Sequence, residues 1–259
     1  MKSTPTATSA PSSSMNTRGA FLVFEGVDRC GKTTQCSLLM KHLVQTLSLS
    51  AVAYRFPDRT TPIGKMINAY LTDSSVEMDD RSIHLLFSSN RWEACKGMAQ
   101  HLASGTNIVC DRYAYSGVAF SAAKIKRLSP NDEPPQPLLS LDWCKSPDIG
   151  LPAPDAVIFL DLSQEEAEKR GGYGGERYEK RDMQMRVKQI FKDLQMIDEQ
   201  DASFVGTPWY IINAAQSVED VQSEINVVVE KTLTEVSNGA PLRSMWSNEQ
   251  FVLSQSSNT

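Results

Sequence analysis

The sequence has no long apolar run: stretches such as AVIFL at 156–160 are among its longest and fall far short of the ~20 residues that a membrane-spanning helix needs. We therefore expect no membrane association. An excess of basic charge is missing too, with 26 Lys and Arg against 31 Asp and Glu and a net charge of −5. That balance disfavours a nucleic-acid binder and leaves room only for a local basic cleft. The five cysteines (Cys30, Cys36, Cys95, Cys110 and Cys144) are odd in number and form no C-x-x-C pair. They argue against a disulfide scaffold or a structural zinc site and suit a reducing compartment, expected to be the cytoplasm with the nucleus as an alternative. What is present is ordinary globular usage, 41% hydrophobic and 22% charged over 259 residues, enough for one large domain with tails or for two small ones.

The ends differ from the middle. Residues 1–18 are rich in Ser, Thr, Pro and Ala with two basic residues and no acid, and Met15 lies within them. They read as a disordered tail, since a transit peptide would be richer in Arg and carry an apolar face. Residues 248–259 read as a second loose end. Between them lies one expected domain, 19–247, with no internal repeat. Strand signals at 21–25, 51–56, 107–111, 155–162 and 209–213 alternate with helical ones. The helix after the first strand runs from Lys32 to about Leu47, and a long one capped by Asp79 or Asp80 runs to about Leu102. Ser163 with Glu166, and Ser217 with Asp220, have capping-box spacing. The alternation predicts an α/β fold with a parallel five-stranded central sheet flanked by helices. The segment 126–138 holds four prolines and reads as a surface insertion.

Chemistry enters at Gly26-Val-Asp-Arg-Cys-Gly31-Lys32-Thr33, a match to G-x-x-x-x-G-K-[ST] between a strand and a helix. Glycines in such a loop let backbone N–H groups turn toward phosphate oxygens, and the helix N-terminus adds positive potential. Lys32 then reaches the β- and γ-phosphates while the Thr33 hydroxyl serves Mg²⁺. Asp111, closing an apolar strand, is the expected acidic partner of that metal, with an N-cap for the next helix as its structural alternative. Cys30 inside the loop is either a small packed side chain or a thiol activated by its cationic surroundings.

A GTPase, a motor, a repair ATPase and a kinase all use such a loop. No N-K-x-D guanine motif is present, and features of an acceptor pocket are. Phe87 and Arg91 lie four apart on one helical face, a flat ring beside a planar donor, which suits a nucleobase. Arg59 and Arg112 follow two strand ends and can converge on a phosphate. The run 170–177 carries four of the chain's 14 glycines between charged ends, as a hinged lid over about 163–182 would.

Together FEGVDRCGKTTQ (24–35), RFPDRTTPIGKMI (55–67), HLLFSSNRWE (84–93), DRYAYSGVAF (111–120), SLDWC (140–144), GLPAPDAVIFLDL (150–162) and KRGGYGGERYE (169–179) resemble the thymidylate kinases over about residues 20–246. The resemblance implies a P-loop kinase fold with a Gly-rich lid, and a homodimer that converts dTMP and ATP into dTDP and ADP with Mg²⁺. It implies catalytic roles for Arg29, Lys32 and Arg112, with Arg29 as the loop arginine of the eukaryotic type. ATP would lie on Gly26, Arg29, Cys30, Gly31, Lys32, Thr33 and Thr34, with Arg170, Asn213, Ala215 and Gln216 around the adenine. For dTMP, Asp28 would take the sugar hydroxyl, and Arg59 and Arg112 the phosphate. Phe87 would stack on thymine and Arg91 donate to its carbonyl, with Phe56, Pro57, Ser116, Gly117 and Tyr178 as walls. Thr33 and Asp111 would serve the metal. The sequence departs from that pattern at Cys30, at Gln216 where Lys is expected, and in the 126–138 insertion. A deoxynucleoside kinase and a non-catalytic nucleotide sensor are the competing readings.

Overall fold

The computed structural model describes residues 18–125, 137–170, 177–178 and 180–253. Most of the N-terminal tail, residues 126–136 of the insertion and the glycine run 171–176 lie outside the described residues. Five strands, β1 (Phe21–Glu25), β2 (Ala51–Arg55), β3 (Asn107–Asp111), β4 (Ala156–Asp161) and β5 (Trp209–Asn213), form one parallel sheet in the order β2-β3-β1-β4-β5. The helices α1 (Lys32–Lys41), α2 (Pro62–Thr72), α3 (Asp80–Ala103), α4 (Ala114–Ala122), α5 (Leu141–Lys145), α6 (Gln164–Lys169), α7 (Arg181–Gln200) and α8 (Val218–Ser237) connect and cover them.

Strand periodicity builds two cores. Successive side chains point to opposite faces, so Phe21, Val23, Cys110, Val157 and Phe159 meet residues of α3, α4 and α7 on one side. Leu22, Phe24, Val109, Ile158 and Leu160 meet α1 and α8 on the other. β1 lies between β3 and β4 and is wholly buried, with Phe24 opposite both Asp111 and Ile158. Its C-terminal end, where the phosphate loop begins, is thereby fixed at mid-sheet.

Helix starts follow the expected caps. Asp79 accepts from the N–H groups of Arg81 and Ser82, Ser163 from Glu166, and Ser217 from Asp220. Boundaries shift modestly elsewhere: α1 ends at Lys41 and continues as a wider π turn, His42–Thr46, and β2 stops before Phe56.

Ordered structure extends further toward both ends than composition suggests. Arg18 forms a two-pronged pair with Asp155, and the chain past 247 pairs Gln250 with Arg243 and packs Phe251 and Leu253 on the core. Of the insertion, Pro137 bridges back to Ile125 and Leu138 packs against the core, so its C-terminal edge is not surface loop. Among the described residues, no helix is long and apolar enough to cross a membrane.

Candidate active site

A cleft of about 690 Å³ opens at the C-terminal edge of the sheet, where doubly wound folds bind ligands. Its floor is the loop between β1 and α1. Gly26 (φ 141°) and Gly31 (φ 100°) are left-handed, and a Cβ on Gly26 would lie 2.7 Å from the Leu160 carbonyl oxygen and 2.8 Å from Cys30 Sγ. No side chain fits there. Arg29 (φ 66°) and Arg112 (φ 69°), two of four non-glycine residues with positive φ among the described residues, both line this cleft. Such backbone costs of order 1–3 kcal/mol and persists where the surroundings over-determine it.

Lys32 is buried and donates from Nζ to the carbonyls of Val27 (2.6 Å) and Gly26 (3.1 Å), with Cys30 Sγ at 3.4 Å. Thr33 Oγ1 donates to Asp111 Oδ2 at 2.6 Å, joining the start of α1 to the end of β3. Arg170 spans the outer rim, donating to the Ala214 carbonyl at 2.6 Å and the Arg29 carbonyl at 3.2 Å.

Charge concentrates between the loop and α4. Arg112 pairs with Asp28 and donates to the Gly26 carbonyl and to Ser116 Oγ. Gln184 of α7 holds Asp28 from the other side, donating to Oδ2 at 2.7 Å and accepting from the Asp28 N–H at 3.1 Å. Burial works against the Asp28 carboxylate, but Arg112, Lys32 and Arg29 together with the Gln184 bond outweigh it and hold it below the usual range. Arg112 is likewise held as a cation: burial opposes its charge, but Asp28, Asp111 and Glu25 outweigh that penalty. Glu25 is fully buried and accepts from the N–H groups of Tyr113 and Ser116 and from Ser116 Oγ. It caps the start of α4, where no local side chain does so. Burial pushes its carboxyl above the ordinary value despite these donors.

The far end of the cleft is flatter and more apolar. Phe56, Pro57, Phe87 and Tyr178 line it with Ser116, Gly117 and Arg91. Arg91 is 2% exposed, and Asp148 clamps it, accepting from Nε at 3.1 Å and Nη2 at 2.6 Å. A Cβ on Gly117 would come within 2.6 Å of that guanidinium, so any side chain there would push Arg91 from its place against Asp148. Arg59, exposed at the rim, donates to Asn68 Oδ1. His84, one turn before Ser88 on α3, is fully buried between Ser121 Oγ (2.7 Å) and the Cys144 carbonyl (2.9 Å). Burial and the nearby Arg91 charge depress its pKa to about 4.

Every expected site residue lines this one cleft except Gly26, Asn213 and Ala215. Gly26 lies beneath the loop as an acceptor for Lys32 and Arg112, and Asn213 caps its own turn by accepting from the Ala215 N–H. Sequence reasoning assigned no role to Glu25, Asp148 or Gln184. Only Glu25 left a trace, as an acid closing an apolar strand.

A family model for thymidylate kinase matches residues 24–225. The chain is 46% identical to a thymidylate kinase of Dictyostelium discoideum over 85% of its length and 88% of that protein's. It is 41% identical to one from Homo sapiens, over 88% and 98%. A solved structure of thymidylate kinase from Candida albicans superposes with a TM-score of 0.74 at 36% identity, covering 88% of this chain and 98% of that one.

Proposed function

The chain belongs to the thymidylate kinase family and phosphorylates dTMP to dTDP with ATP, and we propose that the two ends of this cleft divide donor from acceptor. The carrying observation is continuity: the phosphate loop and the Phe87–Arg91 face open on the same cavity. In this reading ATP lies along the loop with its base between Arg170 and the 213–216 turn. dTMP lies with its base between Phe87 and Arg91, its sugar at Asp28 and its phosphate at Arg59 and Arg112. The lid expected over 163–182 has its glycine run outside the described residues.

Phosphoryl transfer needs positioning and charge neutralisation more than covalent help. The acceptor is a phosphate monoester with a second pKa of about 6 and is largely ionised at neutral pH, so no general base is needed. Two anions must be brought together instead. Lys32, Arg29, Arg59 and Arg112 supply the fixed cations, and Asp28, held ionised, orients Arg112 between the two substrates.

Mg²⁺ fits the residues present. Among the described residues no group of three or more His, Cys, Asp or Glu is placed to hold a metal, whereas Thr33 and Asp111 offer a hydroxyl and a carboxylate in contact. That hard, sparse donor set suits an ion that takes its remaining ligands from phosphates and water. When bound, the ion neutralises charge on the donor phosphates.

A homodimer is supported by apolar groups exposed on adjoining helices, Met66 on α2 and Leu85 and Trp92, seven apart on one face of α3. Five free, buried cysteines support a reducing location, the cytoplasm or the nucleus.

Arg29→Ala tests the division of roles. We expect kcat to fall on the order of 10³-fold, the scale of an arginine finger, with little change in KM for ATP. A raised KM with kcat intact would make Arg29 a binding residue.

A further inference from the structure

We propose that Arg177 is a positioning residue for the acceptor pocket: its guanidinium gathers the carbonyl end of α2 and thereby holds Tyr178 as the pocket's wall. The inference rests on the assignment of that end of the cleft to dTMP.

The last carbonyls of a helix lack intrahelical partners and carry the negative end of its dipole. At the end of α2, Arg177 answers them. Its N–H donates to the Leu71 carbonyl at 3.1 Å and its Nε to the Tyr70 carbonyl at 2.9 Å. Its Nη2 reaches the carbonyls of Asp73 (3.2 Å) and Val76 (2.8 Å) in the turn that follows. The guanidinium carbon also lies 4.2 Å from the centre of the Tyr70 ring, within cation–π range. One residue thus ties four carbonyls of the α2–α3 corner to a single point of the chain, three through its guanidinium and one through its backbone N–H.

That point is next to Tyr178. The Tyr178 ring packs 5.7 Å from Phe120 and 6.1 Å from Tyr70, and Lys124, paired with Asp80, lies over both tyrosine rings. The Tyr178 carbonyl accepts from Gln184 Nε2 at 3.0 Å, and the same Nε2 donates to Asp28. Tyr178 is therefore fastened to the phosphate loop through Gln184 and to α2 through Arg177. Removing the second attachment leaves the wall to sample positions away from the cleft. Lysine cannot replace it fully, because a compact ammonium does not reach three diverging carbonyls as a planar fork does.

Steady-state kinetics and melting of the full chain with Arg177→Leu, Arg177→Lys and Tyr178→Ala test this. If anchoring is lost in about nine molecules of ten, apparent affinity for dTMP falls about tenfold in Arg177→Leu, with kcat within about threefold and KM for ATP within about twofold. Arg177→Lys should show the same split at smaller size, and it decides the matter if the Leu variant fails to fold. Equal rises in both KM values, or none, while Tyr178→Ala selectively raises KM for dTMP, would overturn the role of Arg177 alone. A Tyr178→Ala variant with unchanged KM for dTMP would remove the acceptor-pocket assignment and this proposal with it.

Discussion

The two ends of the cleft are built from different materials. The proposed donor end is largely backbone: one uninterrupted loop with two left-handed glycines, Gly26 and Gly31, and with Lys32 and Thr33 directly after the second. The proposed acceptor end is side chains from separate elements, several of them fixed by a partner far away in sequence. Arg91 relies on Asp148, 57 residues on; Ser116 on Glu25, 91 back; Asp28 on Gln184, 156 on. A backbone site tolerates changes of side chain, whereas a side-chain site inherits the stability of every partner behind it.

The sharpest way to break this contrast is Asp148→Ala. It strands a guanidinium that is 2% exposed, and removing one partner of a buried pair typically costs about 3–5 kcal/mol. We expect a large fall in melting temperature together with a raised KM for dTMP. Unchanged melting would mean that the acceptor end is not held by its buried partners.

Acid should loosen the acceptor end next. His84 has a folded pKa near 4, below its ordinary 6.5, so the unfolded chain binds the proton that the folded one refuses. Its contribution to stability is intact above pH 6.5 and is lost as pH falls toward 4, up to about 3 kcal/mol from the 1.36 kcal/mol per unit conversion. Melts from pH 7 to 4 on the wild type and His84→Gln check this. The variant should lose less over that window, and parallel curves would contradict the assignment.

The smallest effect should come from the donor loop. Cys30→Ala removes a thiol that touches Gly26 and Lys32, but the phosphate contacts proposed for this loop would come from the backbone. We expect KM for ATP and kcat within about twofold, with stability lowered by only about 1 kcal/mol, the scale of a small core truncation. A large rise in KM for ATP would show that the side chain shapes the loop.

The same contrast decided what could be read from sequence. β1 and β3 keep the bounds of their apolar runs, because a run buried on both faces has few alternatives, and the edge strand β5 keeps its bounds although it is only partly buried. The phosphate loop was legible because all of its parts are contiguous. The residues proposed for the acceptor end come from the family's motifs, and their supports do not: nothing local marks Asp148 or Gln184, whose contacts appear only once α3 and α7 have packed. The C-terminal stretch was misjudged for a related reason. Its Ser, Asn and Gln suggest a loose end from 248 on, yet Gln250 pairs with Arg243, and Phe251 and Leu253 find the core.

The most direct test of the account offers the purified enzyme Mg²⁺-ATP with either dTMP or thymidine and measures phosphorylated product. If the acceptor end is built around Arg59 and Arg112 to hold a phosphate monoester, dTDP forms readily and thymidine is left unphosphorylated. Efficient conversion of thymidine, with dTMP inert, would contradict it.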